Sequence, residues 1–267
     1  MAITVAVKAP AWHVMRLMLI LPVLVLALAG CEKQQAPGKA SLSSEVEVHE
    51  WHAPGCADKD SCTTVAISRE VFAEHPALNK AVRRQLLEQL QGNGESSTVN
   101  SDISFEQVAK GFIADAADVA GISQAAWQLT GEAKKLAQHG NLLTVAVTSY
   151  MYSGGAHGMP ATRWLNWDLE KDSRLELNDV ILPGKEAQFW ELAIDAHRRW
   201  QDRQKMDADF RENWPFARSE DFRITDKGLT LRYGVYTLAP YSMGETELLI
   251  PAEKLTDIIQ AAYLPTP

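Results

Sequence analysis

Apolar residues recur along this chain in two periods, and the changes of period mark out its elements. Val46 and Val48 alternate with acidic residues and residues 63–68 are β-branched, so two strands should flank the loop between them. From Pro76, apolar side chains then fall every four residues at Leu78, Val82, Leu86 and Leu90 until Gly92, which predicts a helix. A second helix should start at Ser104, with Gln107 at capping-box spacing, and bury Phe105, Val108, Phe112 and Ile113.

Strand patterns return over residues 126–136 and 142–152, joined by His139, Gly140 and Asn141 in what should be a hairpin turn. Residues 162–169 predict another strand and 188–203 a third helix. Residues 222–225 and 229–233 form a second hairpin about Asp226, Lys227 and Gly228, 247–250 a last strand, and 252–262 a terminal helix. Hairpins interrupted by helices indicate an α+β fold, with a largely antiparallel sheet packed against three to four helices. No internal repeat is evident.

One apolar run does not fit a globular core. Residues 17–29 are hydrophobic but broken by Pro22, too short for the roughly 20 residues of a membrane-spanning helix, and preceded by Lys8 and Arg16. Small residues then lead to Cys31. The pattern reads as a lipoprotein signal peptide over residues 1–30, with Met15 as a more compact start than Met1. The Cys31 thiol would take a diacylglyceryl group, and two or more acyl chains are needed for stable anchoring in membrane lipid. Glu32 in place of an aspartate favours the outer membrane, with the protein facing the periplasm. Residues 31–44 then read as the lipidated cysteine and a flexible tether reaching roughly 40 Å. A smaller α+β domain is expected over residues 45–140 and a second over 141–267.

Loss of Lys8 and Arg16 with the leader leaves 24 basic against 34 acidic residues, a net charge of -10. That balance argues against nucleic acid and suits a basic protein partner, although acidity also serves solubility. Cys56 and Cys62 lie six apart in the loop between the first two strands, and in an oxidising envelope such a pair forms a disulfide. Adding His49 and His52 to the two thiols gives no usual zinc spacing, so no metal and no cofactor is expected.

The densest local signal is the run Tyr152, Ser153, Gly154, Gly155, Ala156, His157, Gly158 between two predicted strands, in which three glycines permit backbone conformations closed to most residues. Ser153 and His157 invite a hydrolase reading with Asp168 as orienting acid, but the nucleophile-elbow pattern is absent and no catalytic signature is complete. Asp115 with Asp118, and Glu245 with Glu247, are the carboxylate pairs to weigh for glycoside hydrolysis, and both read as solvated faces. Trp164 and Trp167 fall on opposite faces of their strand, so at most one points outward. Core packing is the expectation for most of the tryptophans.

Together with Gly228, Leu229, Tyr236, Pro240, Tyr241, Gly244, Ile250 and Pro251, the glycine run resembles the RsiV-type extracellular domain family. This C-terminal module is shared by the anti-sigma factor RsiV and the peptidoglycan deacetylase PdaC. The resemblance covers residues 143–255 and implies binding in the cell envelope, since RsiV uses the module to sense lysozyme. It nominates Ser153, Gly154, Gly155, His157, Pro240 and Tyr241 as contact residues. A lysozyme-like muramidase or another basic envelope protein is the implied partner, with peptidoglycan glycan as the alternative. The segments that would carry sigma-factor control or deacetylation are not matched here, so neither activity transfers.

Overall fold

In the computed structural model, residues 42–55, 61–92, 100, 102–122 and 125–264 are described. The signal segment, Met15, Cys31, most of the tether and Cys56 lie outside these residues. Strand β1 (Ser44–His52) pairs antiparallel with β2 (Thr64–Phe72) across the cysteine loop. Helices α1 (Pro76–Leu90) and α2 (Phe105–Asp118) follow. The chain then enters β3 (Gln128–His139), which lies parallel to β2, as a connection long enough to carry two helices permits. The hairpin β3 to β4 (Leu142–Tyr152), then β5 (Met159–Asp168) and short β6 (Ser173–Leu175), complete a six-stranded sheet in chain order.

The fourfold apolar spacing of α1 has the expected consequence. Leu78, Val82, Leu86 and Leu90 are all buried against Val65, Ile67, Leu129, Leu143, Val145, Val147 and Leu165 on one sheet face. Ser104 caps α2 through the reciprocal box with Gln107: its hydroxyl accepts from the Gln107 N–H, and the Gln107 side chain accepts from the Ser104 N–H. Phe105, Val108 and Phe112 are buried and Ile113 partly so.

A second core forms beyond β6. Helix α3 (Leu177–Val180) leads to α4 (Glu186–Arg203) and α5 (Ala208–Asn213), and then to an antiparallel sheet of β7 (Phe222–Thr225), β8 (Gly228–Tyr233) and β9 (Thr246–Pro251). Phe189, Ala193, Ala196 and Trp200 of α4 pack with Phe222, Ile224, Leu229, Leu231, Leu248 and Ile250, the inward alternation of the three strands. The α+β class and mainly antiparallel pairing hold, with three long helices and two short ones among the described residues. The boundary expected at residue 140 falls on the β3–β4 turn, so the segments on either side share one sheet.

The terminal helix expected over 252–262 does not form. After a 3₁₀ turn at Ala252–Lys254 the chain is drawn across α3, where Ile259 makes a bridge with Ile181. Leu182 N–H donates to the Ile258 carbonyl and Gln260 N–H to the Val180 carbonyl, 2.8 and 2.9 Å. Adjacent Ile258 and Ile259 are both buried, with Leu255 and Tyr263. Eleven residues have little helical stability alone, and this tertiary contact satisfies the same backbone groups while burying more apolar surface. The short elements β6, α3 and α5 are additions to the sequence expectation.

The second hairpin turns where expected, and Gly228 is indispensable to it. Its φ is 130°, and a Cβ there would sit 2.1 Å from the Ile250 carbonyl oxygen. Gly228→Ala should therefore lower stability by roughly 2–4 kcal/mol, read as a reduced denaturant midpoint at unchanged slope.

Candidate functional site

The two loops nominated by the sequence, some eighty residues apart, meet in space. In the β4–β5 connection, Gly154 and Gly155 hold φ of 91° and 96°, the left-handed region open to glycine. Gly158 passes so close to Tyr150 that a Cβ would stand 2.3 Å from the ring. The loop thereby presents His157 to the β8–β9 connection. The imidazole stacks on Tyr241 at 3.7 Å between centroids and 17° between planes. The Tyr241 hydroxyl donates to the Gly158 carbonyl at 2.7 Å.

Tyr236 completes this cluster, its hydroxyl 3.3 Å from His157 Nε2, while His157 Nδ1 lies 3.2 Å from the Gly158 carbonyl. A carbonyl can only accept, so the neutral ring carries its proton on Nδ1 and Nε2 accepts from Tyr236. Tyr236 is 49% exposed and held at φ 64°, a costly conformation for a bulky residue. It was not among the nominated residues; its backbone conformation is the signal that marks it. Pro240 serves as the N-cap of the 3₁₀ turn Tyr241–Met243 and so sets where Tyr241 enters.

No triad joins Ser153, His157 and Asp168. Ser153 is exposed, and among the described residues the partners of His157 are the Gly158 carbonyl and the two tyrosines. Asp168 lies at the far end of β5, about 30 Å along the strand from His157. There it accepts from the Glu170 and Lys171 N–H groups and from the Tyr263 hydroxyl. Its burial acts to raise the carboxyl, but those hydrogen bonds and the Lys171 ammonium hold it below the usual aspartate range.

Cys62 is buried, at 5% exposure, and its expected partner, Cys56, lies outside the described residues. His49 stacks on Trp51 and His52 meets Glu50 at 2.9 Å; three residues apart on β1, the two histidines face opposite sides of the strand. Among the described residues no group of three metal-ligating side chains occurs.

A polar cleft of about 420 Å³ lies beside the aromatic cluster, where β5 meets the second sheet. This centre is absent from the sequence expectation. Glu245, expected on a solvated face, is instead largely buried: it accepts from the Thr162 N–H at 2.7 Å and from the Thr162 hydroxyl, and pairs with Arg232. The carboxylate faces inward because Thr162, which donates to it twice, lies on a strand some eighty residues earlier, which local pattern does not reveal. Asp221 accepts from the Trp164 N–H at 2.8 Å. Trp164 and Trp167 do point to opposite faces and both are buried, Trp164 beneath the guanidiniums of Arg223 and Arg232.

Residues 178–253 match the model of a protein family of unknown function, DUF3298. A crystal structure of a DUF3298 family protein from Pseudomonas aeruginosa PAO1 is 32% identical, covering 85% of this chain and 98% of that one, with a TM-score of 0.69. This chain belongs to the DUF3298 family. A DUF3298 member from Bacteroides fragilis NCTC 9343, 20% identical over 82% of this chain and 95% of its own, shares the fold at a TM-score of 0.61. No curated protein matches the chain. The matched DUF3298 segment contains Asp221, Arg232, Tyr236, Tyr241 and Glu245, whereas β5 and residues 153–158 precede it.

Burial pushes the Asp221 carboxyl up to about 7, and Glu245 adds in the same direction. The Trp164 N–H, Arg232 and Arg163 oppose it without prevailing. A carboxyl that binds its proton more tightly when folded gives full stability below about pH 4, its unfolded value, and loses stability as pH rises to about 7. The effect is a few kcal/mol, at roughly 1.4 kcal/mol per tenfold change in proton affinity. Asp221→Asn keeps an oxygen for the Trp164 N–H, so thermal melts from pH 4 to 8 should show that the variant lacks this decline.

Proposed function

We propose that this DUF3298 chain is a lipid-anchored envelope protein that recognises a basic partner protein, of the lysozyme-like muramidase class, through the surface of residues 153–158, Tyr236 and Tyr241. The observation that carries the reading is the His157–Tyr241 stack, which joins the two loops nominated by the resemblance to the RsiV-type module. A surface already locked by stacking, glycine turns and the Tyr241 hydrogen bond loses little conformational freedom on contact. Tyrosine is favoured at such centres because it offers broad apolar area with a polar tip. The net charge of -10 after loss of the leader supplies long-range attraction for a cationic partner.

The anchor belongs to the same reading. Acylation of Cys31 would hold the protein in the outer membrane facing the periplasm, and a Cys56–Cys62 bridge would staple the β1–β2 loop. In cells fed labelled palmitate, the wild-type chain should incorporate label and Cys31→Ser should not; equal labelling would remove the anchor.

The unlipidated mature chain, titrated with a c-type lysozyme at low and moderate salt, should bind saturably and more weakly as salt rises. Tyr241→Ala should weaken binding at least tenfold, whereas Tyr241→Phe, which keeps the stack, should stay within a few-fold. Absence of binding at low salt would sink the muramidase reading. The exposure of Tyr236 favours one second reading, a sugar platform, which retention on purified peptidoglycan without any protein partner would support.

A further inference from the structure

The cleft between β5 and the second sheet takes no part in the surface proposed above. Its volume, about 420 Å³, lies within the range of small-molecule sites, roughly 300–1,000 Å³. Buried polar atoms in folded proteins are nearly always hydrogen-bonded. Of those lining this cleft, Arg174 Nε is met only by the Glu176 carboxylate at 2.8 Å, and among the described residues three find no partner: Gln85 Nε2, Arg232 Nε and the Tyr233 hydroxyl. Gln85 and Tyr233 are each only 2% exposed, and the terminal nitrogens of Arg232 are taken up by Glu245 and Glu247.

All three unpartnered groups can donate. The acceptors beside them are largely occupied: Glu245 by Thr162 and Arg232, Asp221 by the Trp164 N–H, and Glu176 by Arg174 at 2.8 Å. At the rim, Arg163 and Arg218 are exposed and make no ion pair among the described residues, and Glu220 is the acid opposite them. The surplus is of donors; by charge, Arg163, Arg174, Arg218 and Arg232 stand against Glu176, Glu220, Asp221 and Glu245, and only the burial that raises the Asp221 carboxyl to about 7 leaves part of the positive charge unbalanced. A divalent cation would find the carboxylates already engaged, and a neutral sugar would leave the rim guanidiniums unanswered.

We propose that this cleft binds a small carboxylate-bearing molecule, whose oxygens accept from Arg232, Gln85 and Tyr233 and whose charge is met by Arg163 and Arg218. A carboxylate of this kind could come from an acid sugar or from the end of a short peptide, and the cleft chemistry is common to both. The inference stands apart from muramidase recognition, because it uses different side chains and a different class of ligand.

The test is titration of the purified chain with glucuronate, N-acetylglycine and glucose, followed by amide and indole chemical shifts. Saturable shifts centred on Trp164 and Tyr233 with glucuronate or N-acetylglycine support the proposal, and whichever acid binds more tightly identifies the acid-sugar or the peptide-end source. Combined Arg163→Gln and Arg218→Gln, two exposed changes whose fold is checked by an unaltered melt, should weaken that binding at least tenfold. Tyr236→Ala should leave it unchanged. The proposal is overturned if glucose binds as well as glucuronate, if neither acid saturates, or if the double variant binds like wild type.

Discussion

The assembly of this molecule depends on how one strand edge is finished. Strand β4 pairs with β5 along nearly its whole length, but β6 covers the other side of β5 only at residues 166–168. The Thr162 and Trp164 N–H groups therefore face away from β4 with no strand to receive them. Left unpaired in a buried seam, each would cost about 1–3 kcal/mol. Carboxylates arrive instead of a strand: Glu245 from the start of β9 takes Thr162, and Asp221 from the start of β7 takes Trp164. Two residues further on, Asn166 accepts from the Thr144 hydroxyl and donates to the Phe222 carbonyl. Three alternate positions of one strand thus dock the second sheet onto the first.

That mode of docking explains why the seam is polar. Two sheets joined through side-chain acceptors must bring negative charge into a partly buried place, and Arg232 answers it by contacting both Glu245 and Glu247. Among the described residues no cation pairs directly with Asp221, and burial dominates its proton affinity over the more distant Arg232 and Arg163. The cleft is the space left between sheets held apart by these side chains. The part matched to DUF3298 supplies the acids and Arg232, and the preceding sheet supplies the N–H groups. Neither half carries the centre alone.

The legible and illegible parts of the chain divide by sequence distance. Period-four leucines in α1, the Ser104–Gln107 box and the Asp226-Lys227-Gly228 turn are local features, and each forms as read. The two candidate loops were named through the family resemblance, the first also by its three glycines, and what no local pattern carried is that they meet in the His157–Tyr241 stack. The parallel register of β2 with β3 was not, since periodicity does not report which strands become neighbours. Glu245 was misread for the same reason: alternation at a strand start looks solvated until the partner strand is known. The terminal segment fails differently, its weak helical pattern yielding to a buried bridge with Ile181.

Tyr236 shows how the seam and the aromatic surface are linked. The connection from β8 to β9 buries Leu238 and Ala239 in the second core, so its middle is pinned from within. Its start is fixed by Tyr233 at the end of β8 and its finish by Glu245 on Thr162. Between these anchors Tyr236 is exposed and adopts a left-handed conformation, a costly one that persists where the surrounding chain is fixed on both sides. Gly234 and Thr237 of the same connection line the cleft while Tyr236 and Tyr241 meet His157. The carboxylate docking that closes the strand edge therefore also sets the position of the aromatic surface.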